Sequence, residues 1–240
     1  MAKQPERKYL LGSVFLRWLL IGIAALLLLH LIGQFILRVV GTDNIFLQEL
    51  IWRFNVDLEL NVPTWYSSFL ASSAGLLAFF TAHYYKKKNQ IASKRLWLFM
   101  GFGLMAIAVD EVASFHELFL QTAHVAADFG DGQSYVQNAW LLLLPLIIII
   151  GALVMYLLYK GLPKKTFHRI VVAAAVYLSG ALVVEYLSIP VDTESLIYNL
   201  VLTPLEEGLE MLGLWLILRA LVLHIIDHHP SVVDAIENQG

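Results

Sequence analysis

From Ala139 to Tyr159 the chain passes without one charged side chain, and only Pro145 interrupts the run from Leu141 to Ile150. A stretch of that length restricts the fold severely. Crossing the hydrocarbon layer as a helix takes roughly 20 apolar residues. Backbone N–H and C=O groups meet no water there, so the segment must satisfy them internally, as an α-helix does. Comparable runs recur at 14–40, 64–85, 96–120, 170–187 and 204–226. The expected fold is therefore all-α, a polytopic transmembrane bundle of six spans forming one domain over residues 1–240. Only 15% of the residues are charged, against about 25% in soluble domains.

The connections refine this picture. Ile45 to Leu60 mixes apolar residues with Glu49, Arg53, Asp57 and Glu59, the pattern of an amphipathic helix lying in the interface between the first two spans. Trp65 and Tyr66 open the second span and suit an interfacial aromatic belt. The first apolar run is too long for a signal-peptide core and reads as a retained helix. Lys and Arg gather at the N-terminus and in the loops at 86–95 and 160–169, while the other three loops are mostly acidic. The positive-inside rule then places both termini in the cytoplasm, with the protein in a bacterial inner membrane. A net charge of −3 argues against a nucleic-acid partner, and the absence of cysteine excludes thiolate chemistry and disulfides.

Against this apolar background, Asp110, Glu111, His116 and Glu117 stand out in the third span, and Glu206, Glu207 and Glu210 in the sixth. A charge at the centre of a membrane helix costs about 2.5–3.5 kcal/mol on insertion scales, so intramembrane acids are a functional-site hypothesis by default. The helical pattern of the third span runs on to about Ala127, which aligns Asp110, Ser114, Glu117, Gln121 and His124 in one stripe with Glu111 and His116 on either side. In the sixth span Thr203, Glu206 and Glu210 share a face, with Glu207 flanking it. Helical rise puts all of these, with Glu185 of the fifth span and His30 and Gln34 of the first, in the outer half of the bilayer. No Lys or Arg is expected at that level, so the acids need bound cations or shared protons.

Carboxylate and imidazole together are a ligand set for iron, manganese or zinc. The expected metal ligands are Asp110, His116, Glu117, Glu206, Glu210 and Glu185, with Glu111 and Glu207 as catalytic residues beside one or two divalent ions. Competing structural readings exist. Thr203-Pro204-Leu205-Glu206 fits a capping box with Pro at the first helical position, and acids in a first turn suit the helix dipole. His30 fits an interhelical hydrogen-bonding role, and His224, Asp227, His228 and His229 fit a polar helix end as well as a second metal site.

The Glu-x-x-His pairs of helical di-iron proteins are absent. The Glu206-Glu207 pair resembles that of intramembrane CAAX-type proteases, but Met211 and Leu212 stand where that family carries Arg. The combination of Asp-Glu-x-x-x-x-His-Glu in one span and Glu-Glu-Gly-Leu-Glu in the last resembles a group of uncharacterised multi-pass bacterial inner-membrane proteins, a resemblance that implies architecture and no activity. The expected function is a metal-dependent enzyme acting on a lipid or other small hydrophobic, membrane-resident substrate. A cation- or proton-coupled transporter using the same acids and a structural membrane subunit remain the alternatives. A one-sided site favours the enzyme, because a conduit needs polar groups in the inner half as well.

Overall fold

The computed structural model describes residues 10–87, 90–115 and 139–228. Seven helices make up these residues, with no strand among them: α1 (Leu10–Phe35), α2 (Ile45–Trp52), α3 (Val62–Lys87), α4 (Ile91–Ala113), α5 (Ala139–Gly161), α6 (Lys164–Leu178) and α7 (Thr203–His228). Three wider π turns adjoin them: Ile36–Val40 ends α1, Ser179–Val184 carries α6 into a last turn at Glu185–Ser188, and Tyr198–Leu202 leads into α7. Four continuous helical stretches are long and apolar enough to cross a membrane: Gly12–Val40, Ser93–Ala113, Lys164–Ser188 and Tyr198–His228. The chain is a helical membrane protein.

α7 is the axis of the bundle and packs against α1, α3 and α6, while α3 pairs most extensively with α4. Each of these helices buries a stripe at three- and four-residue spacing, the geometry of one helix face. The stripe in α1 is Leu16, Leu19, Ile23 and Leu26; in α4 it is Trp97, Met100, Leu104 and Ala108; in α7 it is Met211, Leu214, Leu218 and Leu221. α3 contributes Ala71, Ala74, Ala78 and Ala82, all essentially inaccessible. Small side chains let helix backbones approach closely, which is how membrane helices gain packing without a hydrophobic drive between them. α5 stands at the edge, touching α4 and α6 and exposing Leu146, Ile148, Ile149, Leu153 and Leu157. Such exposure of large apolar side chains suits a helix that faces lipid over much of its surface.

Three expectations change. The interfacial helix is shorter than the pattern suggests: α2 stops at Trp52, and turns carry the chain through Leu60, whose φ is 59°. α4 ends at Ala113 because Ser114 adopts a left-handed conformation (φ 49°, ψ 40°) that an α-helix cannot continue through. The stripe from Asp110 to His124 is therefore not one unbroken helix face, and His116, Glu117, Gln121 and His124 lie outside the described residues. Finally, Thr203 is not a helix cap. It is helical itself (φ −55°, ψ −53°), and the helix reaches back through Tyr198. The ring of Pro204 would meet the carbonyl four residues earlier in a regular helix, and the wider π turn before it relieves that clash. The capping-box account of Glu206 falls with this, since Glu206 and Glu207 sit more than a turn inside the helical stretch.

Candidate functional site

At one end of the bundle the buried stripes run out of apolar residues and end in polar ones. Continuing α1 by one step beyond Leu26 reaches His30, continuing α4 beyond Ala108 reaches Glu111, and reading α7 back from Met211 reaches Glu207. In α6 the stripe Thr166, Ile170, Ala173 meets Tyr177 before Gly180 and Val184. The core is thus capped by one histidine, one tyrosine and two glutamates, each on the inward face of its helix.

Glu111 of α4 and Glu207 of α7 lie within electrostatic reach of each other, and both act on Tyr177. One face over on α7, Glu206, Glu210 and Gly213 point toward α6. Glu206 is close to Glu185, Glu210 interacts with Glu206 and Glu185, and the Tyr177 hydroxyl lies near the Glu210 carboxylate. Two glycines permit this approach. A Cβ on Gly213 would lie 2.5 Å from the Tyr177 Cβ and 2.7 Å from its backbone, and one on Gly180 would lie 2.6 Å from the Glu206 carbonyl oxygen. Glu111, Glu185, Glu206, Glu207 and Glu210 are all half-buried.

The expected residues therefore divide. Glu111, Glu185, Glu206, Glu207 and Glu210 come together. Asp110 is also half-buried, but it lies off the inward stripe of α4 that leads to Glu111. His116 and Glu117 are outside the described residues. Among the described residues no three His, Asp or Glu side chains stand close enough to hold one ion as they are. Two participants were missed by the sequence reading. Tyr177 is signalled only by its place on the α6 stripe. Asp57, from the turn after α2, accepts a hydrogen bond from the Tyr198 hydroxyl at 3.1 Å, lies 3.5 Å from the Thr203 hydroxyl, and interacts with Glu206 and Glu207.

Asp57 is exposed to solvent, yet the protein packed around its carboxyl raises its pKa above the ordinary aspartate value by partial desolvation, with the Tyr198 hydrogen bond and the nearby His30 opposing the shift. The raised value stabilises the fold below the unfolded-state pKa of about 4 and is lost as pH rises through the folded value. Asp57→Asn keeps an acceptor for Tyr198 and removes the charge. Its melting temperature should gain on the parent's as pH rises from about 4 to 7; a constant difference across that range would contradict this account.

Beside the acids lies a second network, and it corrects the expectation that no cation reaches this level. Arg38 donates from Nε to Gln34 Oε1 (3.0 Å), from one terminal nitrogen to the Glu194 carboxylate (2.8 Å) and carbonyl (3.0 Å), and from the other to Asn199 Oδ1 (2.9 Å). Its charge is thus committed to the loop before α7. His30, 1% exposed, accepts at Nδ1 from the Val56 N–H (3.2 Å), so the proton sits on Nε2, which donates to the Asn199 carbonyl (2.9 Å). With both ring nitrogens engaged, His30 is an interhelical tie and not a ligand. Gln34 Nε2 is buried without a partner among the described residues.

The opposite end of the core closes similarly. His224, fully buried, has Nδ1 at 2.9 Å from the Thr166 hydroxyl and Nε2 at 3.4 Å from the Tyr85 hydroxyl, beneath the Trp97 ring. Asp227 pairs with Arg169 (2.8 Å) and Lys165 (3.1 Å). His224, Asp227 and His228 thus form a polar helix end, with His229 outside the described residues.

A family model described as a domain of unknown function, DUF8692, matches residues 18–225. The chain belongs to the DUF8692 family. The match takes in every element that carries the acid cluster, so the described bundle and its polar end are the family domain itself. No curated protein and no solved structure matches the chain.

Proposed function

We propose that this DUF8692 protein binds a divalent cation at its acid end and acts through it, as an enzyme, on a lipid or other membrane-resident substrate. The observation that carries this reading is the convergence of Glu111, Glu185, Glu206, Glu207 and Glu210 from three helices onto one level. Like charges so placed cannot all ionise without a cation or shared protons. Arg38, the nearby cation, is taken up by Glu194 and Asn199. A bound ion would supply the missing charge and a water acidified toward a pKa of about 7. Glu206 and Glu210, with His116 and Glu117 just beyond the described residues, would serve as ligands together with Asp110 and Glu185. Glu111 and Glu207, on the inward stripes, are the candidates to take a proton from that water. Iron, manganese and zinc all fit such donors.

What lies beneath the acids favours an enzyme over a transporter. Between the two polar ends the described core is mostly apolar, with Ala71, Ala74, Ala78, Leu104, Leu214 and Leu218 buried, and the hydroxyls there are tied to backbone carbonyls, Ser68 to Ala108 and Thr81 to Leu77. A conduit for cations or protons would want ionisable groups at that depth. We count six spans, adding α3 and α5 to the four apolar stretches, because 26 and 23 residues at 1.5 Å each exceed the ~30 Å hydrocarbon layer. The basic end then faces the cytoplasm of a bacterial inner membrane, and the acid end opens outward.

Elemental analysis of the purified protein tests the reading. The parent should carry stoichiometric iron, manganese or zinc, and Glu207→Gln/Glu210→Gln should lose at least nine-tenths of it at unchanged yield. A parent that holds no metal even after reconstitution would overturn the metal reading and leave shared protons, and with them the transporter.

A further inference from the structure

We infer that the basic end carries a binding site for an anionic phospholipid headgroup, formed by Arg95 of α4 with Lys160 and Lys164 at the α5–α6 turn. Gly161 seats that turn directly on Leu96, with no room for a Cβ between them. The residues next to this contact in the chain are Lys160 on one side and Arg95 on the other, so the contact sets the helix end that carries Lys160 beside the one that carries Arg95. All three are exposed.

Their charges are not spent. The nearby acid, Asp227, is held by Lys165 and Arg169. Arg95, Lys160 and Lys164 have no ion pair or hydrogen bond among the described residues. The Lys160 ammonium instead lies over the Tyr156 ring, 5.3 Å from its centroid.

The surroundings decide the source of the phosphate. Tyr156 and Tyr159 are more than half exposed, and Leu153 and Leu157 continue the same bare face of α5 toward the bilayer centre. Aromatic residues of this kind sit at headgroup level, and basic pockets between membrane helices bind anionic headgroups. A phospholipid can lay its acyl chains along this face with its phosphate between the cations. A soluble anion would use the charges alone. The inference is independent of the acid-end reading.

The test uses detergent-purified full chain titrated with dioctanoyl phosphatidylglycerol or dioctanoyl phosphatidylcholine, read by native mass spectrometry. Each basic residue near a membrane surface contributes about a fivefold factor. The parent should prefer the anionic lipid at least tenfold, and Arg95→Gln/Lys160→Gln/Lys164→Gln should abolish that preference. Arg17→Gln/Lys86→Gln, which removes the same sign of charge from α1 and α3, should retain it. If the triple variant fails to fold, Lys160→Gln and Lys164→Gln singly should each weaken the preference severalfold. Equal binding of both lipids by the parent, equal loss in the Arg17/Lys86 control, no loss in the triple or single variants, or full competition by 10 mM inorganic phosphate (about the millimolar range of a soluble-anion site) would overturn the inference.

Discussion

Gly213→Ala should lose about 3 kcal/mol of stability, the upper part of the usual range for overpacking, and melt roughly 6–12 °C below the parent. The new methyl has nowhere to go. It would lie 2.5–2.7 Å from the Tyr177 Cβ, Cα and backbone nitrogen, and backbone cannot rotate aside as a flexible side chain can. α6 must move away from α7, and the same shift withdraws Tyr177 from Glu210. Gly103→Ala and Gly151→Ala are the matched controls, because nothing lies within 4 Å of a Cβ at either position. There Ala's better helix propensity should leave stability unchanged or slightly raised. Thermal unfolding in one detergent separates the three variants. A Gly213→Ala protein melting within a degree of the parent would mean that the α6–α7 contact is not as close as described.

His30→Leu should be comparably damaging for a different reason. Leucine fills most of the volume but leaves the Val56 N–H and the Asn199 carbonyl without the imidazole that both use. Each buried group stranded this way costs about 1–3 kcal/mol, or ~4 kcal/mol for the pair. The second consequence is local. Asn199 lies in the first residues of the turn that feeds α7, and with this tie gone the loop at 189–197 should become cleavable by protease at temperatures where the parent resists. His83→Leu, at an exposed position of α3, should change neither property. Equal protease resistance of His30→Leu and the parent would show that Arg38 alone holds the loop.

These two effects mark where sequence reading reached and where it stopped. Helical spans were legible because lipid leaves a chain no other way to satisfy its backbone, and runs of apolar residues announce that directly. The level of the acids followed from rise per residue. Which acids face inward was also present in the sequence, but in the apolar residues around them. Glu111 continues the spacing of Trp97, Met100, Leu104 and Ala108, whereas Asp110 does not, and judging the acids by their spacing from one another set Asp110 on the principal face instead. The break at Ser114 was not legible, because a left-handed serine leaves no compositional trace.

Other features depended on partners distant in the chain. Nothing near Thr203 distinguishes a helix cap from a residue in mid-helix; the π turn before Pro204 settled it. Arg38 looks like an ordinary end-of-span arginine until Glu194 and Asn199, more than 150 residues away, close around it. Tyr177 looks like one more aromatic in an apolar span until Gly213 and Gly180 let α7 draw alongside. The sequence alone determined that this chain is a bundle of membrane helices with its acids gathered toward one end, because hydrocarbon enforces both helix formation and the cost of each charge locally, residue by residue. Only the tertiary structure decided which acids meet, which histidine is a tie and which cation is already committed, because those are properties of side chains brought together by helix packing and not of any one segment.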